Sequence, residues 1–391
     1  MRVLSEFMVY RDRNFYGISP GITRTARGDL LVAFRRQPNR KMEDRDNLHI
    51  DTHSHVALIR SSDQGRTWSE PTVVHHDPSG NIGEQAGSMF TLASGRIILS
   101  SFRWEHIEGK SEEDLGGPHV FTRGYHVWNR NNPWSGAFRM RGGLISHSDD
   151  HGQTFSPWRE LSVPTDRYID GLCAVEGVGV ELASGRLLLP VYAGRVSRRL
   201  GRVVTSYASL VLASDDQGIS WQFHASAAEN PDPRGMGFDE HSLCMTTGGE
   251  IFSTLRATFD PERAIWTARS ADQGLTWSMD RLNQTHGQPI KPLRLQDGRI
   301  LMIYGYRKAP NAGVRAKLLN PDLSNLHHAT EFVVRGEAEK VVGSRSPDQG
   351  INMDFGYPSA VEIAPGRVLV VYYWPDPDAD AHIEATLIDI E

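Results

Sequence analysis

A chain of 391 residues is long enough for two or three ordinary domains, but all-β barrels and propellers of this length often form one unit. Its 37 glycines, 21 prolines and 39% hydrophobic content describe a turn-rich globular protein and exclude a disordered chain. The net charge of −6 lacks the basic excess that an electrostatic nucleic-acid binder needs.

The N-terminal MRVLSEFMVYRDRNFYG holds no apolar run of signal-peptide length, and no stretch is long enough for a membrane span. The expectation is a cytoplasmic protein if the chain is complete, and a secreted one if a signal peptide was removed. The two cysteines, Cys173 and Cys244, imply no disulfide framework and read as separate buried thiols, a single bridge being the other reading. No metal-ligand spacing occurs, and nothing requires a metal or organic cofactor.

In chain order, VLSEFMVY from Val3 is expected to zip beside the C-terminal HIEATLIDI from His382, leaving no open sheet edge. Between them a glycine turn followed by a β-rich run recurs six times: RGDLLVAF from Arg27, SGRIILSSF from Ser94, SGRLLLPVY from Ser184, GGEIFSTLR from Gly248, DGRILMIYGYR from Asp297 and PGRVLVVYY from Pro365. Glycine at each turn supplies a conformation other residues resist, and each run is short, apolar and rich in β-branched and aromatic residues. Six such units predict an all-β, six-bladed β-propeller over residues 1–391 as a single domain.

A second series, S-x-D-x-G-x-[TS]-[WF], begins at Ser61, Ser148, Ser214 and Ser270. Its Ser and Asp side chains can bond turn amides, its glycine takes the left-handed position, and its aromatic packs down on the blade. These residues read as fold staples rather than chemistry. SPDQG from Ser346 lacks the Thr-Trp ending and is discounted. Residues 103–143 form an insertion in blade 2, expected to be a binding loop, a lid or a subunit contact through which the chain could oligomerise.

In an antiparallel hairpin, residues well before the turn lie beside residues a similar distance after it. Nine residues before a turn glycine and seven after it therefore share one end of a blade. For Gly249 these are Glu240 and Arg256; for Gly366 the residue before is Tyr357; for Gly28 the residue after is Arg35. Nine residues after Gly298 lies Arg307, placed on the same strand face by the period of two. One acid, one tyrosine and three arginines thus converge on one rim, as a small anionic ligand requires, although each alone reads equally as a surface or core residue.

The Asp-boxes interleaved with glycine hairpins resemble the sialidase superfamily across essentially the whole chain. That resemblance implies an arginine cluster for a substrate carboxylate, a tyrosine nucleophile assisted by a glutamate, and a loop aspartate as acid/base. Glu240 in FDEHS, Arg256 in STLR, Arg307 in YGYR and Tyr357 in GYPS stand where the family has its glutamate, second arginine, third arginine and nucleophile. The aspartate should precede the first Asp-box, where Asp51 fits best by distance and Asp46 is second; His53 and His55, expected on one strand face, and His241 are further substrate-binding candidates. The family opens with an R-I-P arginine, and this chain has GISPGIT there, with Ile18 or Ser19 in the arginine's place; Arg35 or Arg36 could reach in from the same blade.

The resemblance implies an exo-acting glycoside hydrolase removing a terminal sugar, an acidic one among the candidates, with a carbohydrate as its partner and neither nucleic acid nor membrane. One alternative is a polysaccharide lyase, which would use His53, His55, His119, His126 or His241 on a uronate. The other is a carbohydrate-binding propeller without catalysis.

Overall fold

The computed structural model describes residues 1–43, 50–108, 120–121, 136–197, 202–232, 235–258, 260, 262–308, 310–338, 340, 355–376 and 380–391. Six antiparallel sheets follow one another along the chain. Blade I comprises Phe15–Arg24, Leu30–Pro38, His55–Ser61 and Thr72–His75; blade II is built on Ile82–Thr91, Ile97–Glu108, Gly136–Ser148 and Arg159–Glu160. Blade III uses Tyr168–Ala174, Leu187–Ser197, Arg202–Ser214 and Gln222–Ala228, and blade IV uses Gly237–Met245, Ile251–Thr258, Ala264–Ser270 and Ser278–His286. Blade V runs through Ile290–Arg294, Ile300–Tyr306, Gly313–Leu319 and Glu331–Arg335. Blade VI joins Gly356–Ala364, Arg367–Asp376 and Asp380–Asp389 to the N-terminal Arg2–Tyr10, in register Arg2↔Asp389 to Tyr10↔Ile383. The expected closure of the ring by both chain ends is therefore observed.

Each second strand follows its turn glycine and is buried on both faces. Leu31, Val32, Ala33 and Phe34 in blade I and Val368, Leu369, Val370 and Val371 in blade VI are fully covered. This is why these strands read as continuous apolar runs rather than alternating ones. Full burial of one such side chain is worth roughly 1.5–3 kcal/mol, and truncating Leu31 to alanine would cost about 2–5 kcal/mol.

The four Asp-boxes form one repeated structure. Ser61 Oγ donates to Asp63 Oδ1 at 2.7 Å and accepts from Gly65 N at 2.8 Å, while Thr67 Oγ1 donates to Asp63 Oδ2 at 2.6 Å. The same bonds recur around Asp150, Asp216 and Asp272. Each box glycine has positive φ and lies against the preceding blade: a Cβ on Gly65 would meet Leu369 at 2.7 Å, on Gly152 Leu31 at 2.4 Å, and on Gly218 Ile98 at 2.7 Å. The boxes thus staple neighbouring blades as well as their own turns. Residues 346–350, the discounted partial copy, lie outside the described residues.

The insertion begins as an extension of blade II, whose pairing continues to Glu108↔Gly136, with Val120–Phe121 added beside Arg139 and Phe138. The remainder of the insertion, including His119 and His126, lies outside the described side chains. Cys173 and Cys244 are buried and in no disulfide.

Candidate active site

The innermost strands of four blades carry the same irregularity. Pairing jumps from Ile18↔Arg35 to Gly21↔Ala33, from Gln85↔Phe102 to Ser88↔Ser100, from Asp239↔Arg256 to Ser242↔Thr254, and from Gly356↔Tyr373 to Ser359↔Val371. Two residues oppose one in every case, which is a β-bulge, and a bulge re-aims its side chains. The first bulged residue is Ser19, Ala86, Glu240 or Tyr357, each nine residues before its turn glycine. Ser19, Glu240 and Tyr357 take φ of 51°, 42° and 44°, an uncommon conformation for residues with a side chain.

Blade V has Pro289 and Gly305 at the corresponding places, neither with a long side chain. A Cβ on Gly305 would meet Gln288 O at 2.8 Å and the Cα of Gly356 at 3.7 Å. Glu240 from blade IV can therefore reach across to blade VI. Tyr357 OH donates to Glu240 Oε1 at 2.6 Å, Arg256 donates to the same oxygen, and Arg256 lies 3.3 Å from the phenol oxygen. The far side of Arg256 faces Asp239 Oδ1 at 3.7 Å, and Asp239 also accepts from Thr258.

The charges follow from this geometry. Burial alone would raise Glu240, but the Arg256 guanidinium and the hydrogen bonds from Arg256 and Tyr357 outweigh it and hold the carboxyl below its usual range. Burial pushes the Tyr357 phenol well above its ordinary value, and the Glu240 charge adds to the shift. The same burial, opposed by Arg256 and reinforced by Glu240, pushes Asp239 up to about 7. At neutral pH the pair is a phenol hydrogen-bonded to a carboxylate, at a distance suited to general-base transfer.

Arg307 lies just beyond the blade V strand rather than on its face, which corrects the expected alternation. Its Nε and Nη2 donate to Phe355 O at 3.0 and 2.7 Å, Nη2 lies 3.2 Å from Tyr373 OH, and its Cζ stands 5.7 Å from the Tyr357 ring centroid. A shallow cleft beside it is lined by Arg263, His286, Arg307 and Lys308. Arg263, which the repeat positions did not reveal, is held below its usual range by burial and by the positive charges of Arg307 and Arg256. Three guanidinium groups in mutual repulsion are a setting for an anion.

The other candidates lie apart from this cluster. Arg35 occupies the place in blade I that Arg256 occupies in blade IV, but it is buried and donates to Gln85 Oε1. Arg36 points elsewhere: it bonds Tyr10 OH and Asp12 at 2.9 Å and stacks 3.6 Å from the Phe15 ring. Asp51 is fully buried, receives a forked bond from Arg40 at 2.9 and 3.2 Å, and accepts from His53 N at 2.8 Å. Burial raises its pKa, but the bonds from His53 and Arg40 prevail and hold it low. A carboxylate fixed in its ionised form anchors a loop better than it delivers a proton. The preceding residue, Ile50, packs with Phe102 of blade II and Tyr192 of blade III. Asp46 lies outside the described residues.

His53 sits in the turn before the strand and is half exposed, whereas His55 opens the strand and is buried, so the two do not share a face. Burial, aided by the charge of Arg36, pushes His55 down to about 4. His241 is a core residue between blades III and IV, its Nε2 lying 3.0 Å from Val191 O and 2.9 Å from Leu210 O. Three residues at the repeat positions went unnamed in the sequence: Glu176, nine before Gly185; Tyr192, seven after it; and Tyr373, seven after Gly366. The counting rule that found Glu240 and Arg256 finds them when it is carried to every blade.

Six blades, four of them carrying an Asp-box, with a tyrosine, a glutamate and arginines at one mouth, define a protein of the sialidase superfamily. Residues 119–370 match the family model of the BNR repeat-like domain, and the chain belongs to that family. A sialidase of Paraclostridium sordellii is 24% identical over 246 residues, covering 60% of this chain and 51% of that one. A sialidase of Micromonospora viridifaciens is 24% identical over 352 residues, covering 76% and 50%. The chain thus spans about half the length of these curated relatives. Among solved structures, a protein of unknown function from Dyadobacter fermentans is 27% identical with a TM-score of 0.82, covering 100% of this chain and 99% of that one. A leech intramolecular trans-sialidase, 16% identical with a TM-score of 0.62 and covering 100% and 70%, shares the fold.

Proposed function

We propose that the chain is an exo-acting glycoside hydrolase of sialidase-like type that removes a terminal acidic sugar. The observation that carries this reading is the 2.6 Å bond from Tyr357 OH to Glu240 Oε1, with Arg256 on both groups. In the first step the Tyr357 oxygen bonds to the anomeric carbon, and the bond to the leaving group breaks. The phenol proton passes to Glu240 Oε1, and the leaving oxygen takes a proton from a loop aspartate. Water then attacks the anomeric carbon and gives its proton to the aspartate, the bond from that carbon to the Tyr357 oxygen breaks, and Tyr357 recovers its own proton from Glu240. With Asp51 tied to Arg40, Asp46 of the same loop takes the acid/base role in this reading.

Arg256, Arg263 and Arg307 support an anionic substituent on the sugar. Ile18 and Ser19, one of which stands where the superfamily has an arginine, bring no charge there. A substrate bearing the carboxylate elsewhere than in a sialoside, or held by Arg263, is consistent with that substitution. A lyase reading loses support because His55 and His241 lie away from the cluster.

The test is product analysis of wild type and Tyr357→Phe on a panel of sialosides, uronides and neutral glycosides. Release of a saturated sugar by wild type, lost in the variant with ligand binding kept, is the expected result. An unsaturated product, or no release from any glycoside, overturns it.

A further inference from the structure

Behind the tyrosine–glutamate pair lies a second carboxyl group that the reaction as written leaves idle. Glu176 follows the irregular pairing in blade III, which moves from Ile169↔Gly194 to Ala174↔Tyr192. The backbone after it is pressed onto blade IV: Val178 N donates to Ser242 Oγ at 2.9 Å, and Leu243 N donates to Val178 O at 3.0 Å. A Cβ on Gly177 would stand 1.8 Å from His241 O, so the approach requires glycine. It seats Glu176 against Glu240, and the two carboxyl groups hydrogen-bond.

Two ionised carboxylates can only accept, so such a bond needs a proton between them. Glu176 Oε2 and Glu240 Oε2 are both buried and find no donor on any other described residue. One shared proton satisfies both oxygens. Its place is on Glu176, because burial and the Glu240 charge raise that group, whereas Arg256 and Tyr357 already hold Glu240 as the anion. Asp239 and Arg256 from blade IV also face the pair, as do Tyr192 from blade III and Tyr357 from blade VI. From blade V comes Lys291, whose buried ammonium is lowered to about 8 by burial against the pull of both glutamates; its Nζ lies 3.5 Å from Ser88 Oγ of blade II, across the ring.

We propose that Glu176 is a positioning residue for Glu240: its carboxylic acid donates to Glu240 Oε2 and so aims the other oxygen, Oε1, at the Tyr357 phenol. This rests on the tyrosine–glutamate reading of the site. Glu176 keeps its proton throughout the reaction, while Glu240 receives and returns the phenol proton.

The test has two arms, using Glu176→Gln, which keeps a neutral donor of the same size, and Glu176→Leu, which removes it. In infrared spectra at about pH 9, where Asp239 is ionised, wild type should show the carbonyl stretch of a buried protonated carboxylic acid, and Glu176→Gln should lose it. In pH profiles of kcat/KM, Glu176→Gln should keep the acid limb. Glu176→Leu should raise that limb by about one unit or more, as an unsatisfied buried carboxylate takes up a proton more readily. A carbonyl band that survives Glu176→Gln, or an acid limb unmoved in a folded Glu176→Leu, overturns the proposal. If wild type cleaves no glycoside, the reading of the site fails, and the infrared arm alone decides where the proton lies.

Discussion

Glu240 and Tyr357 should behave as one catalytic unit, and a double-mutant cycle measures this. Tyr357→Phe removes the phenol but leaves the ring and its contact with Tyr373 in place, at 5.8 Å between centroids. Glu240→Gln removes the acceptor charge while keeping its size, and Arg256 retains Asp239 at 3.7 Å as an anionic neighbour. A positioned general base contributes roughly 10²–10⁴ in rate. At about 1.4 kcal/mol per decade, Glu240→Gln should cost roughly 3–5.5 kcal/mol in the barrier. Tyr357→Phe should cost at least as much, because it removes the nucleophile itself. The double variant should then be no slower than Tyr357→Phe alone, since a base without its nucleophile has nothing to act on. The assay is kcat with an activated aryl glycoside of whichever sugar the wild type releases. Denaturant unfolding should show a loss of only about 1.5–3 kcal/mol for Tyr357→Phe, the net worth of one hydrogen bond to a charged group. Additive losses in kcat would refute the reasoning, because they would mean that the 2.6 Å bond carries no proton in the reaction.

Three further outcomes are expected. Arg256→Ala and Arg307→Ala should each weaken an anionic sugar by roughly 1.5–3 kcal/mol in calorimetry and leave a neutral analogue nearly unaffected. Asp51→Asn should loosen the loop by freeing Arg40, seen as faster proteolysis, whereas Asp46→Asn should lower kcat most for substrates with poor leaving groups. Asp63, Asp216 and Asp272 are held down to about 2, Asp63 and Asp272 mainly by bonds from the Thr side chain and amides of their boxes, and Asp216 by equivalent bonds that overcome burial. A depressed folded-state pKa stabilises the fold above the unfolded value near 4, and that contribution fades as pH falls toward 2. Replacing all three by asparagine should flatten melting temperature against pH in that window.

The blades were legible because glycine turns and Asp-boxes are local signals: each uses residues within about eight positions of one another, and the physics of a tight turn admits few alternatives. The ring closure was legible from alternation at both chain ends. The site was legible only as far as the repeat could be counted. Glu240, Arg256 and Tyr357 meet because their hairpins are of equal length and their bulges coincide, both of which equal spacing from the turn glycine encodes. Arg263 and Asp51 sit on connections whose course no periodicity fixes, and the sequence held no sign that Arg40 would occupy the Asp51 carboxyl. His241 misled for a related reason. The second residue of the bulge lies beside Glu240 in sequence, yet the bulge sends it into the core between blades.

The register also explains how one repeat carries two duties. In blade I the strand pairs Arg24↔Leu30 and Leu30↔Ser61 put the glycine turn and the Asp-box at the same end, while Ile18↔Arg35 lies at the other. Blade IV repeats this arrangement, with Met245↔Ile251 and Ile251↔Ser270 at one end and Asp239↔Arg256 at the other. The staples therefore hold the ring from the end opposite the site. That leaves the positions nine residues before each turn glycine without a structural role common to all blades, and their occupants differ accordingly: Ser19, Ala86, Glu176, Glu240, Pro289 and Tyr357. Chemistry arises where neighbours on this ring are complementary. Pro289 leaves the gap through which Glu240 reaches Tyr357, and Gly177 lets Glu176 approach from the other side. A change of occupant at one of these positions can alter the ligand without disturbing the staples, so replacing Ser19 by arginine should change ligand binding and leave the melting temperature nearly unmoved.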